Sequence, residues 1–86
     1  MIYRIVTYDR ATEVMKGSLI VPPSIAARVK KIAGLQPIDD GLGEYPLDDA
    51  QTTGVAKLLG FTPELERFYY HLEPYDPPED SGFSED

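Results

Sequence analysis

The sequence predicts a two-layer α+β domain, in which a three-stranded antiparallel or mixed sheet carries two helices on one face. Three observations lead to this prediction. Two segments near the start alternate with the period of a strand, two later segments carry apolar stripes with the period of a helix, and an aromatic run follows them. The predicted order is therefore strand, strand, helix, helix, strand. Packing both helices on the same face buries the apolar stripes most economically.

The first two strands are predicted to form a hairpin. Residues 2–8 are rich in β-branched and aromatic side chains, which favour a strand. Residues 9–13 supply turn chemistry, and residues 14–21 alternate again, with a more apolar side formed by Met15, Gly17, Leu19 and Val21. Because Gly17 lies inside this strand, it indicates a bulge or a close backbone approach rather than a binding role.

The first helix is predicted to begin at Pro22-Pro23-Ser24, since proline suits the first helical turn but cannot donate to a sheet. Its apolar stripe has the spacing i, i+4, i+7 and consists of Ile25, Val29 and Ile32. Gly34 is a suitable left-handed residue for the end of this helix. Residues 35–46 contain two glycines and two prolines and are predicted to be a loop.

The second helix is predicted to begin at Asp48, because Asp48 and Gln51 have the spacing of a capping box. Its apolar side is formed by Val55, Leu58 and Leu59, and Gly60 ends it. Gly54 lies inside this helix at a cost of roughly 1 kcal/mol relative to alanine. That cost suggests close packing of the helix on a neighbour.

The aromatic run at residues 67–73 is predicted to be the third strand. It alternates Phe68, Tyr70 and Leu72 with Tyr69, His71 and Glu73. A helix also fits this segment, because Leu65, Phe68, Tyr69 and Leu72 share a stripe, but three adjacent aromatic residues favour the strand. Residues 74–86 are rich in proline and acids and are predicted to be a disordered tail beyond a single domain at residues 1–73.

Composition narrows the class of protein. The 86 residues include no cysteine, which excludes disulfides and cysteine-ligated zinc and makes the reducing cytoplasm the expected compartment. The start shows no signal peptide, and no apolar run has the length that a bilayer requires. The net charge is -7, but residues 72–86 hold six acids and no base, so the rest of the chain is close to neutral. A near-neutral body does not favour binding to nucleic acid.

His71 is the only histidine. With no second histidine and no cysteine it does not form an ordinary zinc site, so neither a metal nor another cofactor is expected. Glu73, two residues along the same strand face, is its only nearby partner for acid-base chemistry. The sequence contains no catalytic motif beyond this pair, which indicates a protein that is not an enzyme.

Residues 53–72 resemble the helix-turn-helix of MerR-type transcriptional regulators. The likeness rests on Val55-Ala56, Gly60, Thr62-Pro63-Glu64 and Arg67-Phe68-Tyr69. It implies a DNA-binding regulator with Arg67 and Tyr69 on a second, DNA-facing helix. The motif normally begins its chain, whereas two predicted strands precede it here, and Glu64, Glu66 and Glu73 oppose contact with phosphates.

The chain as a whole is similar to small uncharacterised bacterial domains. The likeness lies in the hairpin, the helix, the loop that leads into Tyr45-Pro46-Leu47, and the aromatic strand that ends at Leu72-Glu73. The first functional hypothesis is a bacterial protein-binding protein, of the immunity or antitoxin kind, that neutralises a basic partner. Its expected contact residues are Tyr69, His71, Tyr75, Asp76 and Phe83.

Two alternatives stay open: a DNA-binding regulator, and a small ligand-binding protein or enzyme that uses His71. Exposed strand edges are also compatible with a homodimer.

Overall fold

The computed structural model of the chain describes residues 2–35 and 43–75. Its elements, in chain order, are β1 (Ile2–Asp9), β2 (Met15–Val21), α1 (Pro23–Ile32), β3 (Tyr45–Leu47), α2 (Asp49–Leu59) and β4 (Phe68–Tyr75). The predicted α+β class and its two helices are confirmed. Neither of the described helices combines the length and apolarity needed to cross a membrane.

Within the described residues the sheet has four strands rather than the predicted three, in the order β2-β1-β4-β3. All three neighbouring pairs are antiparallel. The additional strand, β3, lies in the segment predicted to be a loop and pairs Tyr45 with Leu72 and Leu47 with Tyr70. It has only three residues and a central proline, and a sheet tolerates proline in an edge strand. A strand of three residues shows no clear alternation and proline disfavours a strand, so the sequence does not predict β3.

The predicted hairpin of β1 and β2 is confirmed, and so is the bulge. Their register shifts between Thr7 and Tyr8, which face Gly17 and Met15. No atom lies near the position of a Cβ on Gly17, so the glycine marks the bulge and not a close backbone approach. In the preceding turn, the backbone N–H groups of Thr12 and Ala11 donate to Asp9 and lower the pKa of its carboxyl group.

The end of α1 and the start of α2 are as the sequence predicts. Gly34 follows α1 with φ 87°, and the N–H groups of Gly34 and Leu35 donate to Lys31 and Lys30, which is the Schellman arrangement. At the start of α2, Asp48 accepts from the Gln51 backbone N–H at 2.7 Å, while the Gln51 side chain accepts from the Asp48 N–H at 2.9 Å. The capping box is therefore complete.

The two helices pack against each other and against one face of the sheet. The Gln51 side-chain amide also donates to the Ile32 carbonyl at 3.2 Å, which joins the start of α2 to the end of α1. The Ile32 side chain lies beside Gly54. It is therefore the close neighbour that the sequence predicts for this part of α2. One buried core contains residues of both helices and of all four strands: Tyr3, Ile5, Val21, Val29, Ala33, Leu47, Val55, Tyr70 and Leu72.

The strand predicted at residues 67–73 is present, so the second helix that the MerR resemblance implies within residues 53–72 is absent. Phe68–Tyr75 is a strand that lies between β1 and β3. Pairing with β1 buries Tyr70 and Leu72 in the core, so the alternation of the aromatic run prevails over its helical stripe. No DNA-facing helix carries Arg67 and Tyr69. The strand also continues two residues past the predicted domain boundary at residue 73, and the predicted tail at residues 76–86 lies outside the described residues.

Replacing Gly54 with alanine should raise the free energy of unfolding by up to about 1 kcal/mol, because alanine has the higher helix propensity. A methyl group there would lie 3.6 Å from Ile32, an ordinary contact distance. As a control, Gly60→Ala should destabilise the domain by roughly 1–2 kcal/mol, since Gly60 has φ 81°. Urea denaturation measures both changes, and a loss of stability in Gly54→Ala would show that the helices cannot accept the methyl group.

Candidate functional site

The strand register divides the sheet into two faces. Ile5, whose partners are Leu19 and Leu72, belongs to the face covered by the helices. Val6, whose partners are Ser18 and His71, belongs to the opposite face. We call this opposite side the open face, because neither described helix packs on it. By register it carries Arg4, Val6, Tyr8, Met15, Ser18, Ile20, Pro46, Tyr69, His71, Glu73 and Tyr75.

A buried carboxylate lies at the centre of the open face. Glu73 is only 7% exposed. The Tyr8 hydroxyl donates a hydrogen bond to Glu73 Oε2 at 2.5 Å, and Arg4 Nη2 lies 3.7 Å from Glu73 Oε1. Each carboxylate oxygen therefore has a polar partner, as a buried charge requires.

The contact between Tyr8 and Glu73 joins two residues that are offset along neighbouring strands. Glu73 pairs with Arg4, so Tyr8 lies four residues away along the strand direction, which corresponds to roughly 13 Å between backbones. The two side chains must lean towards each other over the intervening position, which is that of Val6. This arrangement accounts for the complete burial of Val6, although Val6 lies outside the helix-covered core.

Aromatic rings cluster around this contact. Tyr8 and Tyr69 stack with ring centroids 5.3 Å apart, and His71 lies 5.1 Å from Tyr8 and 5.4 Å from Tyr69. The guanidinium of Arg4 lies 4.8 Å from the centre of the Tyr75 ring. The rings of Tyr8, Tyr69 and His71 therefore form one aromatic cluster, and Tyr75 is linked to the site through Arg4.

His71 also faces two carboxylates. Its Nδ1 atom lies 3.4 Å from Glu44 Oε1 and 4.0 Å from Glu73 Oε2. This nitrogen is buried and has no hydrogen-bond partner. Glu44, His71 and Glu73 bring one potential metal-ligand atom each to within 4.8 Å of the others.

The contact residues expected from the sequence are partly brought together. Tyr69, His71 and Tyr75 share the open face, whereas Asp76 and Phe83 lie outside the described residues. The expected proximity of His71 and Glu73 is present. Sequence reasoning missed Arg4, Tyr8 and Glu44. The alternation of β1 indicates that Arg4 and Tyr8 share a face, but it does not reveal that β4 lies beside them.

A shallow groove of about 250 Å³ lies apart from this cluster. Its lining consists of Ile5, Thr7, Gly17, Ser18, Leu19 and Phe61, and none of the clustered polar side chains takes part. His71 and Glu73 are therefore held among stacked side chains on a sheet face, outside this groove.

The pKa of Tyr8 is raised from its ordinary value of 10.0 to about 12. The hydrogen bond to Glu73 is the largest cause, and burial and the charge of Glu73 also raise the pKa. The stabilisation due to the neutral phenol is complete below pH 10 and is lost as the pH rises towards 12. Tyr8→Phe should cost about 1–3 kcal/mol at neutral pH, because it leaves a buried carboxylate oxygen without its donor.

The difference in unfolding free energy between wild type and Tyr8→Phe should shrink above pH 10. Phenolate absorbance should show that the variant lacks one late-titrating tyrosine, with Tyr69→Phe as a control that keeps the Tyr8 hydroxyl. Identical late titration in wild type and Tyr8→Phe would contradict the assigned hydrogen bond.

Comparison with known proteins places the chain without assigning an activity. No curated protein and no solved structure matches the chain. A family model described as a domain of unknown function, DUF7683, matches residues 2–73. This range contains β1, β2, β3, both described helices and the first six residues of β4. The chain therefore belongs to the DUF7683 family.

Proposed function

We propose that this chain is a non-catalytic protein-binding module and that the open face is its contact surface. The observation that carries the proposal is the aromatic cluster of Tyr8, Tyr69 and His71, with Tyr75 on the same sheet face, where no described helix packs. Tyrosine is enriched at protein interfaces, because it offers a large apolar area together with a hydrogen-bonding group.

Exposed apolar side chains extend this surface towards the edge of the sheet. By register, Ile20 lies beside Arg4 and Met15 beside Tyr8, and these two β2 side chains are 43% and 50% exposed. A partner that packs on the open face would form a third layer and remove them from water. Arg4, Arg10 and Glu44 supply charges of both signs around the rings, as in a polar interface rim.

A basic protein is the partner that the charge distribution favours. The last fifteen residues hold six acids and no base, and their acidity would steer a basic partner towards the end of β4. We propose that the chain neutralises such a partner, in the manner of an immunity protein or an antitoxin. Catalysis has less support, because His71 is not among the residues that line the groove of about 250 Å³.

The test uses two neighbouring residues on opposite faces of β2. Ile20 belongs to the open face and Leu19 to the helix-covered face, with nearly equal exposures of 43% and 42%. In pull-downs from the source cells, Ile20→Lys should lose a partner that wild type and Leu19→Lys both retain. Partners that survive Ile20→Lys, or that both variants lose equally, would argue against the open face as the contact surface.

A second arm isolates the acidic tail. Removing residues 76–86 leaves Tyr75 and the whole of β4 in place. The truncated chain should bind its partner more weakly and with less dependence on salt, because charge attraction is screened by ions. Sedimentation of the wild type alone distinguishes a homodimer from binding to another protein.

A further inference from the structure

We propose that Glu44, His71 and Glu73 form a binding site for a divalent transition-metal ion of the zinc type. Sequence patterns do not predict this site, because the chain has one histidine and no cysteine. The fold supplies the missing ligands as carboxylates, one from β4 and one from the residue just before β3. The site does not depend on the proposed protein partner.

The spacing of the three side chains suits such an ion. Ligand atoms bound tetrahedrally to zinc at about 2.0–2.2 Å lie about 3.3–3.6 Å from one another. His71 Nδ1 and Glu44 Oε1 are 3.4 Å apart, while His71 Nδ1 and Glu73 Oε2 are 4.0 Å apart. The Glu44 side chain is 63% exposed, so it is free to move the short distance that would complete the set. Water would occupy the remaining position.

The environment of His71 Nδ1 calls for a cation. This atom is buried without a hydrogen-bond partner, and the two nearest charged groups are carboxylates, which only accept hydrogen bonds. These oxygens attract a positive charge at the position of Nδ1. A metal ion bound to Nδ1 and to both carboxylates would supply that charge and use one lone pair from each of the three groups.

Tyr8 and Arg4 act on the same carboxylate in opposite ways. The Tyr8 hydroxyl donates to Glu73 Oε2 and fixes its direction, as groups next to a metal ligand commonly do. The Arg4 guanidinium lies near the other oxygen, Oε1, and its positive charge weakens the attraction for a cation. Two carboxylates against one guanidinium still leave a net negative site. The imidazole favours zinc over magnesium or calcium, which prefer oxygen ligands.

The test is a titration of the full-length, untagged, ¹⁵N-labelled chain with Zn²⁺, observed through the ring nitrogens of His71. Because this is the only histidine, its signals are unambiguous, and metal bound by acids elsewhere does not imitate them. Binding should shift the Nδ1 resonance in a saturable manner and leave Nε2 protonated. Mg²⁺ at the same concentration should leave both nitrogens unchanged.

Two exposed glutamates provide a matched pair of variants. Glu44→Gln should weaken Zn²⁺ binding by about tenfold or more, because it removes a charged ligand. Glu66→Gln removes an equal charge from an exposed residue outside the cluster and should bind like wild type. The proposal is overturned if excess Zn²⁺ leaves the His71 nitrogens unmoved, if the ring stays doubly protonated throughout, or if both variants weaken binding equally.

Discussion

The register between β1 and β4 is the constraint on which the rest of the structure depends. Eight consecutive residue pairs join these two central strands. A shift by one residue would exchange the faces, moving Leu72 out of the core and bringing Glu73 beneath the helices. The cost of burying that charge among apolar side chains disfavours the shifted register. The same register that forms the core therefore also assembles the aromatic and ionic groups on the other side of the sheet.

The open face shows how a sheet can bury polar groups without a second layer of helices. Tyr8 and Arg4 approach Glu73 from the neighbouring strand and satisfy one oxygen each. Their long side chains lie over the sheet and exclude water from Val6 beneath them. The rings of Tyr8, Tyr69 and His71 contact one another, and each Glu73 oxygen has a polar partner. Contacts that are already formed before binding lower the entropic cost of binding a ligand.

Local patterns in the sequence predict most of the elements but not their neighbours. Alternation predicts β1, β2 and β4, and the Asp48–Gln51 spacing predicts the start of α2, because these signals arise within a few residues. β3 is too short to alternate and contains Pro46, so its pairing with β4 depends on tertiary contacts. The site depends on that pairing as well. Glu44 reaches His71 only because β3 is the strand next to β4, and no periodicity in the sequence carries this information.

The order of the strands in space has a consequence for how the chain acquires its structure during synthesis. β1 and β4 are neighbours at the centre of the sheet, yet they are the first and last strands of the described residues. A nascent chain can form the hairpin and both helices while β1 still has one unpaired edge. Only the arrival of β4 closes that edge, so long-range pairing comes late and slows folding. Until then the exposed edge of β1 is open to pairing with other chains, and delay in translating the last strand would favour aggregation.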